Sequence, residues 1–452
     1  MRGRVLAAAC LAQLMITLDV SVVNIALPAV RADLALGSVG LQWVVTAYAL
    51  PFAGCLLLGG RVVDMVGVRA AFVGGMAAFT AASAVAGAAP GPEVLLAGRA
   101  AQGLAASLVA PAALAAITTT FGEGESRTRA LARWTAMSIA GGTAGNLCGG
   151  VLTEFFGWRA VLLVNLPLGA LAIVLAVRAL SAAGHEGRTS VGIAPAPLAT
   201  GMLVVAAIAF AAVGEQSWGI GIAASGVAVV CLAAFVRSNG TARNPLIPPT
   251  LLAIRSVRWG NAGLLVIGAT LVPMWFFLSL QVQVVLGYPP LMAGLAFLPH
   301  TVIQLVVGLH WTPRLLRITT PPRLVAAGAA LLAGGFVWQS GLETGSAYST
   351  AVLVPAVLIA VGAGLVNLPL TAMTVAGVPA SDAGAAAGVM NCAKQVGGGM
   401  GLAVLVAATA AIGPPERAYG LAFLIMAALA AGVGLAALSA ARPARADGFA
   451  SP

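Results

Sequence analysis

Three charged side chains lie inside long apolar stretches of this 452-residue chain: Asp19, Arg99 and Lys394. A charged group at the depth of a lipid bilayer is costly, and groups retained there mark ion or substrate pathways. Desolvation disfavours a carboxylate, so protonation of Asp19 can respond to the side from which water enters. Arg99 and Gln102 are three residues apart and share one helix face. We predict that Asp19 binds and releases a proton and that Arg99 tunes this site.

These groups also have structural interpretations. Asp19 can be a carboxylate that is hydrogen-bonded within a helix interface. Arg99 lies near the start of its apolar stretch, so its guanidinium can reach the headgroups at the membrane surface. Lys394 is either a cationic counter-group within the second half of the chain or a side chain that extends to the membrane surface or faces water. His300 and His310 are interpreted as packed or interfacial side chains.

The composition excludes several classes of protein. Apolar residue types make up 60% of the chain, 8% of its residues are charged, and the mean hydropathy is +1.01. These values rule out a soluble enzyme, a disordered chain and a disulfide scaffold. The net charge is +10, but the arginines are scattered through short links, so nucleic acid is not an expected partner.

Nucleotide hydrolysis and metal chemistry are not expected either. Lys394 is the only lysine, and the sequence has neither a phosphate-binding loop nor a phosphorylated Asp followed by Lys. The five cysteines lie far apart inside apolar stretches, and no Ser stands in a G-x-S-x-G elbow. We therefore expect no enzyme activity, no nucleotide partner, no metal and no cofactor.

The elements that must position the charged side chains are membrane-spanning helices. A helix needs about 20 apolar residues to cross the hydrocarbon core, and the sequence contains about fourteen such stretches. With the N-terminus in the cytoplasm, most arginines of the links fall on that side, which supports cytoplasmic termini. We predict an all-α polytopic membrane protein with two six-helix bundles and two extra inserted helices. Its predicted parts are a first bundle at 1–180, a linker with the extra helices at 181–257, a second bundle at 258–441 and a cytoplasmic tail at 442–452.

The link between the second and third stretches carries a recognisable pattern. Its residues 60–69 read GRVVDMVGVR, with Gly60, Asp64, Gly67 and Arg69 at the key positions. Glycines permit a tight turn, and Asp64 can cap the following helix or pair with Arg69. This link resembles the loop signature of the major facilitator superfamily, G-x-L-a-D-r-x-G-r-[KR]. The resemblance implies that these residues form a conformational latch.

Other segments resemble one branch of that superfamily. Residues 18–28 read LDVSVVNIALP and are similar to the L-D-x-T-V-V-N-V-A-L-P signature of fourteen-helix drug:proton antiporters. Residues 99–103 are similar to their R-x-x-Q-G element, and further matches occur at 41–48, 157–169 and 395–401. The ordered set spans almost the whole chain. It implies a major facilitator fold and drug export.

The fifth stretch departs from that branch, because Asn146 stands where the usual element, G-P-x-x-G-G, has proline. Gly141, Gly145 and Gly149 are four residues apart and are followed by Gly150, so they form a flat helix face. We predict that these glycines pack between the two bundles.

A substrate cavity would be lined by aliphatic and small side chains with a few polar anchors, which suits a lipophilic or cationic compound. The candidate lining residues are Asn24, Trp43, Tyr48, Gln102, Trp275, Gln281, Asn367 and Lys394.

We predict proton-coupled export, or antiport, of small lipophilic or cationic compounds such as drugs or antibiotics by alternating access. The expected partners are a small-molecule substrate, protons and membrane lipid, and the chain is expected to act as a monomer in the bacterial cytoplasmic membrane. Two alternatives stay open: proton-coupled import of a small organic solute, and a membrane receptor that does not transport.

Overall fold

The computed structural model describes residues 2–122, 124–180, 195–242, 245, 247, 249–379 and 383–440. Helices form nearly all of this described part, which contains no strand. They are α1 (Arg2–Asp33), α2 (Ser38–Val66), α3 (Val68–Gly87), α4 (Pro92–Thr120), α5 (Glu125–Phe156), α6 (Trp158–Ala179), α7 (Pro195–Gly214), α8 (Trp218–Thr241), α9 (Arg255–Val285), α10 (Pro290–Leu315), α11 (Pro321–Gln339), α12 (Ser349–Val375), α13 (Ala383–Thr409) and α14 (Pro415–Ala440).

Some of these helices consist of consecutive pieces. Helix α6 is interrupted at Val164, and α9 ends in a π-helical turn at Gln281–Val285. Helix α10 contains a π-helical turn at Val307–Trp311, and α12 begins with one at Ser349–Leu353. A short helix at Pro249–Ala253 precedes α9.

Thirteen helices of the described residues are long and apolar enough to cross a membrane. Helix α5 is not among them, because glycine and polar residues lower its hydropathy, although it is as long as α1 at 32 residues and packs along it. In lipid every backbone N–H and C=O group must be bonded within the chain, and continuous helices satisfy this requirement. The predicted all-α polytopic class is confirmed.

The helices pack in two groups. In the first, α1 contacts α4, α5 and α6, while α2 and α3 pack against α4. In the second, α9 contacts α12 and α13, while α11 packs against α12 and α14. The boundaries of the two bundles, the linker and the tail that the sequence suggests stay predictions. Two of these regions lie outside the described residues: residues 181–194 of the predicted linker and the predicted tail at 442–452.

The inserted helices lie at one seam between these groups. Helix α7 packs against α8, α2 and α13, and Thr200 of α7 lies against Gly54 of α2. Helix α8 packs mainly against α7, and its apolar side chains such as Ile222 and Val230 are exposed. Lipid accepts such a surface without penalty. The pair therefore covers the α2–α13 seam from the side.

The groups also meet at one end of the molecule, which we call the far side, where α1 ends at Asp33. There α1 contacts α9, and α5 contacts α10. The backbone N–H of Leu291 at the start of α10 donates to Glu154 Oε2 of α5 at 2.8 Å. The two groups are therefore joined on the far side by hydrogen bonds as well as by apolar packing.

The predicted role of the α5 glycines is wrong for three of the four. A Cβ added at Gly141 would lie 2.1 Å from Thr17 Oγ1 of α1, and one at Gly145 would lie 2.6 Å from Ser21 Cβ. Gly149 likewise faces α1, whereas Gly150 faces α10 of the second group. Spacing by four defines a face but not its partner, so the face holds α5 against α1 within one group.

We expect Gly141→Ala to destabilise the protein by about 1–3 kcal/mol, because the added methyl group forces α5 away from the α1 backbone. Gly142→Ala is the matched control, since its Cβ would meet only Ser21 Oγ at 3.8 Å. Thermal unfolding in detergent micelles measures both variants. Equal melting temperatures for the two would contradict the close packing of this face.

Candidate functional site

Buried polar side chains from several helices of the first group meet around one carboxylate. Their side chains lie deep in the protein, with exposed fractions of 2% or less. We call this set the Asp19 cluster: Asp19 on α1, Tyr48 on α2, Ser83 on α3, Arg99 and Gln102 on α4, and Asn165 on α6. Apolar residues dominate these helices, so the polar side chains of the cluster are surrounded by the apolar core of the bundle.

Each carboxylate oxygen of Asp19 accepts hydrogen bonds from this cluster. Arg99 Nη1 lies 2.5 Å from Asp19 Oδ2, which makes a buried ion pair. Gln102 Nε2 donates to Oδ1 at 3.1 Å, and Asn165 Nδ2 donates to the same oxygen at 2.7 Å. The negative charge is therefore compensated by the Arg99 guanidinium and by two side-chain amides, since a buried charge needs such partners.

The guanidinium of Arg99 is held from several directions. Its Nε donates to the carbonyl of Val44 at 3.1 Å, and its Nη1 also donates to Gln102 Oε1 at 2.9 Å. Its Cζ lies 4.6 Å from the ring centroid of Tyr48, within cation–π distance. Arg99 is 1% exposed, so the alternative in which it reaches the membrane surface is wrong.

Two members of the cluster were not predicted from the sequence. Ser83 Oγ accepts from Gln102 Nε2 at 2.7 Å and donates to the Phe79 carbonyl at 2.9 Å. Asn165 lies in segment 157–169, which matches the antiporter branch. A polar amide inside an apolar stretch could have indicated from the sequence that Asn165 belongs to the site. A serine carries no such signal, because small hydroxyls in helices commonly bond to the carbonyl four residues earlier.

The predicted latch residues lie where α2 meets α3. Gly67 has φ +87°, a conformation that favours glycine, and it joins the two helices directly. Gly60 lies on α2 near Pro111 of α4, and Asp64 is exposed. Within the described ranges, Asp64 neither caps α3 nor forms an ion pair with Arg69. Neither the helix cap nor the ion pair expected of Asp64 is therefore formed in this conformation.

The predicted cavity residues do not line one surface. Tyr48 and Gln102 belong to the Asp19 cluster inside the first group. Gln281 is buried in the second group, where its Oε1 accepts from Gln339 Nε2 at 3.0 Å. The sequence assigned these side chains to one substrate cavity, but residue types could not indicate which helix each of them faces.

The other candidates are spread over several contacts. Trp275 packs against the rings of Phe297 and His300, each at 5.6 Å between centroids. Trp43 packs with α7 and α13 residues at the seam. The remaining three are Asn24, which is buried where α1 meets α9, and the half-buried Asn367 and Lys394.

The described residues contain no group of three or more His, Cys, Asp or Glu side chains that could hold a metal ion. The cluster thus consists of an acid, a permanent cation and neutral hydrogen-bonding groups. Such a set can bind and release a proton at Asp19 if Arg99 moves, but it offers no nucleophile beside a base.

The family is shown by comparison with known proteins. The Major Facilitator Superfamily model matches residues 9–402, so the chain belongs to this superfamily and is a multi-pass membrane transporter rather than an enzyme. It is 47% identical over 406 residues to the cephamycin export protein CmcT of Amycolatopsis lactamdurans, covering 89% of this chain and 84% of that protein.

Other similar proteins agree with this assignment. The chain is 40% identical over 402 residues to the puromycin resistance protein pur8 of Streptomyces alboniger, covering 87% of this chain and 79% of that protein. The crystal structure of the POT family transporter PepTSo has the same fold, with a TM-score of 0.70 at 13% identity and coverage of 98% and 97% of the two chains. The predicted major facilitator fold is confirmed.

We expect Arg99→Gln to lower stability by about 3–5 kcal/mol, because it leaves the Asp19 carboxylate buried without a cation. The double variant Asp19→Asn with Arg99→Gln should recover most of this loss, since a neutral pair of similar shape needs no charge compensation. Thermal unfolding of the two variants tests this. A double variant as unstable as the single one would show that lost packing, not charge, is responsible.

Proposed function

We propose that this protein exports antibiotics or similar toxic small molecules across the bacterial cytoplasmic membrane, driven by inward movement of protons. The observation that carries the proposal is the buried Asp19–Arg99 ion pair at mid-length of α1 and in α4. Relatives named for cephamycin export and puromycin resistance support the export direction. The substrate, protons and lipid are the partners, and one chain carrying both bundles acts as a monomer.

Protonation of Asp19 changes the balance of the cluster. A neutral carboxyl leaves the Arg99 guanidinium buried without a counter-charge, which is unfavourable in an apolar core. Arg99 then moves or gains water, and its bonds to Val44 of α2 and Gln102 of α4 change with it. Proton binding is thereby coupled to the relative positions of α1, α2 and α4.

The arginine distribution supports a cytoplasmic position for both termini, and in this proposal the far side is the extracellular side. The conformation described above is then closed toward the outside. The α2–α3 link with Gly60, Asp64, Gly67 and Arg69 lies on the cytoplasmic side. In our proposal its latch contacts form when the protein closes toward the cytoplasm, which accounts for the exposed Asp64 here.

The proton gradient supplies enough free energy for this work. One proton moving down about 100 mV and one pH unit yields roughly 2.3 plus 1.4 kcal/mol. That sum holds a neutral solute at a gradient of a few hundredfold.

We expect Asp19→Asn to abolish pH-driven export while the protein remains in the membrane, because the amide cannot bind a proton. In inside-out vesicles with an acidic interior, the wild-type exporter accumulates substrate in the lumen, whereas an importer would release it. Glu343→Gln is the control, since Glu343 is an exposed carboxylate outside the cluster. Unchanged accumulation with Asp19→Asn would remove Asp19 from the mechanism, and a receptor would show no flux in any variant.

One observation favours a second substrate class. Lys394 is half-buried on α13, and no carboxylate of the described residues lies within ion-pair distance of it. The charge of Asp19 is already compensated by Arg99. A cation at this depth that has no carboxylate partner among the described residues attracts an anion, so carboxylate-bearing compounds are a candidate class beside lipophilic or cationic ones.

We expect Lys394→Gln to reduce export of a carboxylate-bearing probe about tenfold relative to an uncharged probe. Lys394→Arg is the matched control, because it keeps the positive charge. The measurement is vesicle uptake of anionic, neutral and cationic fluorescent probes by the wild type and by both variants. An equal reduction for all probes would assign Lys394 a structural role instead.

A further inference from the structure

A proline inside α1 leaves one backbone carbonyl without its helical partner. Pro28 has no N–H group, so it cannot donate to the carbonyl of Asn24, four residues earlier. Asn24 is buried, and its own side-chain amide donates elsewhere, to the Val20 carbonyl at 3.1 Å. A buried carbonyl without a donor is unfavourable by about the desolvation of that group. The carbonyl therefore needs a donor from outside α1.

The donor comes from the opposite bundle. Ser279 Oγ of α9 lies 2.6 Å from the Asn24 carbonyl oxygen and donates to it. Gln283, one turn further along, donates from Nε2 to the Ile25 carbonyl at 3.0 Å and to Ser279 Oγ at 2.9 Å. Ser279 is fully buried, and Gln283 lies in the π-helical turn that ends α9. These bonds cross between the bundles on the far side.

We propose that Ser279 and Gln283 form a far-side gate whose main acceptor is the carbonyl that Pro28 leaves free in α1. The gate belongs to the alternating-access transport proposed above. When α1 and α9 are together, the serine hydroxyl satisfies the carbonyl. When they separate, water entering from the far side replaces the hydroxyl.

This exchange makes the gate reversible. A hydrogen bond to protein and one to water differ little in free energy, so the carbonyl is satisfied in the closed and open states alike. In an intermediate in which the helices have begun to separate but water has not yet reached the carbonyl, the carbonyl would be unpaired. The higher free energy of that intermediate favours two discrete states, closed and open. Asn24 and Asp19 lie five residues apart on the same helix, so α1 carries both the proton-binding carboxylate and the gate acceptor. Any movement of α1 that follows release of Arg99 acts directly on this hydrogen bond.

The test is hydrogen–deuterium exchange of the full-length protein in lipid nanodiscs. Ser279→Ala removes the donor and destabilises the closed state, so amide exchange in residues 19–33 and 274–286 should rise about fivefold or more. Exchange in the opposite halves of α1 and α9 should stay unchanged. Ser279→Thr, which keeps the hydroxyl, should restore the wild-type rate.

The control for loss of a hydroxyl on α9 is Thr270→Val. Thr270 Oγ1 bonds within its own helix, to the Ile267 carbonyl at 2.8 Å. This variant should leave far-side exchange unchanged. A similar rise in Thr270→Val would show that general loosening of α9, and not the gate, controls exchange.

The variant Pro28→Ala tests whether the free carbonyl of Asn24 accounts for the effect of Ser279. Alanine restores an N–H that can donate to Asn24 within α1, so Ser279→Ala should have a much smaller effect in this background, and the coupling is read as a double-mutant cycle. Equal effects of Ser279→Ala with and without Pro28 would overturn the proposal, as would no effect in either. Exchange requires no transport, so the gate can fail or hold independently of the Asp19→Asn export result.

Discussion

The architecture depends on keeping one carboxylate and one guanidinium together inside an apolar bundle. Such a pair is stable only when both charges compensate each other and the remaining polar atoms find partners. Asp19 and Arg99 compensate each other, Gln102 and Asn165 donate hydrogen bonds to the carboxylate, and Ser83 accepts one from Gln102. Because these side chains come from α1, α3, α4 and α6, the ion pair constrains the arrangement of most of the first bundle.

Helix α1 links this constraint to the rest of the molecule. On one side its backbone is pressed against the glycine face of α5, so the two helices are held at close range. Further along, Pro28 breaks its hydrogen-bond ladder, and Ser279 from the second bundle supplies the missing donor. A change of charge at Asp19 therefore acts on a helix that is bonded to both bundles.

The candidate site could be predicted in part from residue types. Asp19 and Arg99 stand out because charges are rare at bilayer depth, and Gln102 follows from helical spacing. Ser83 could not be found this way, since a hydroxyl in an apolar helix usually bonds within that helix. Tyr48 and Gln281 were assigned to a shared cavity, but Tyr48 lies against Arg99 and Gln281 against Gln339.

The sequence by itself determined the membrane environment, the positions of most spanning helices and the superfamily, because hydropathy and motif order are properties of continuous segments. The tertiary structure decided which face meets which partner. It placed Gly141 and Gly145 against α1, the inserted α7 at the α2–α13 seam, and Ser279 beside the Asn24 carbonyl. The reason is physical: helical periodicity defines a face, whereas the neighbour of that face depends on how segments distant in the chain pack together.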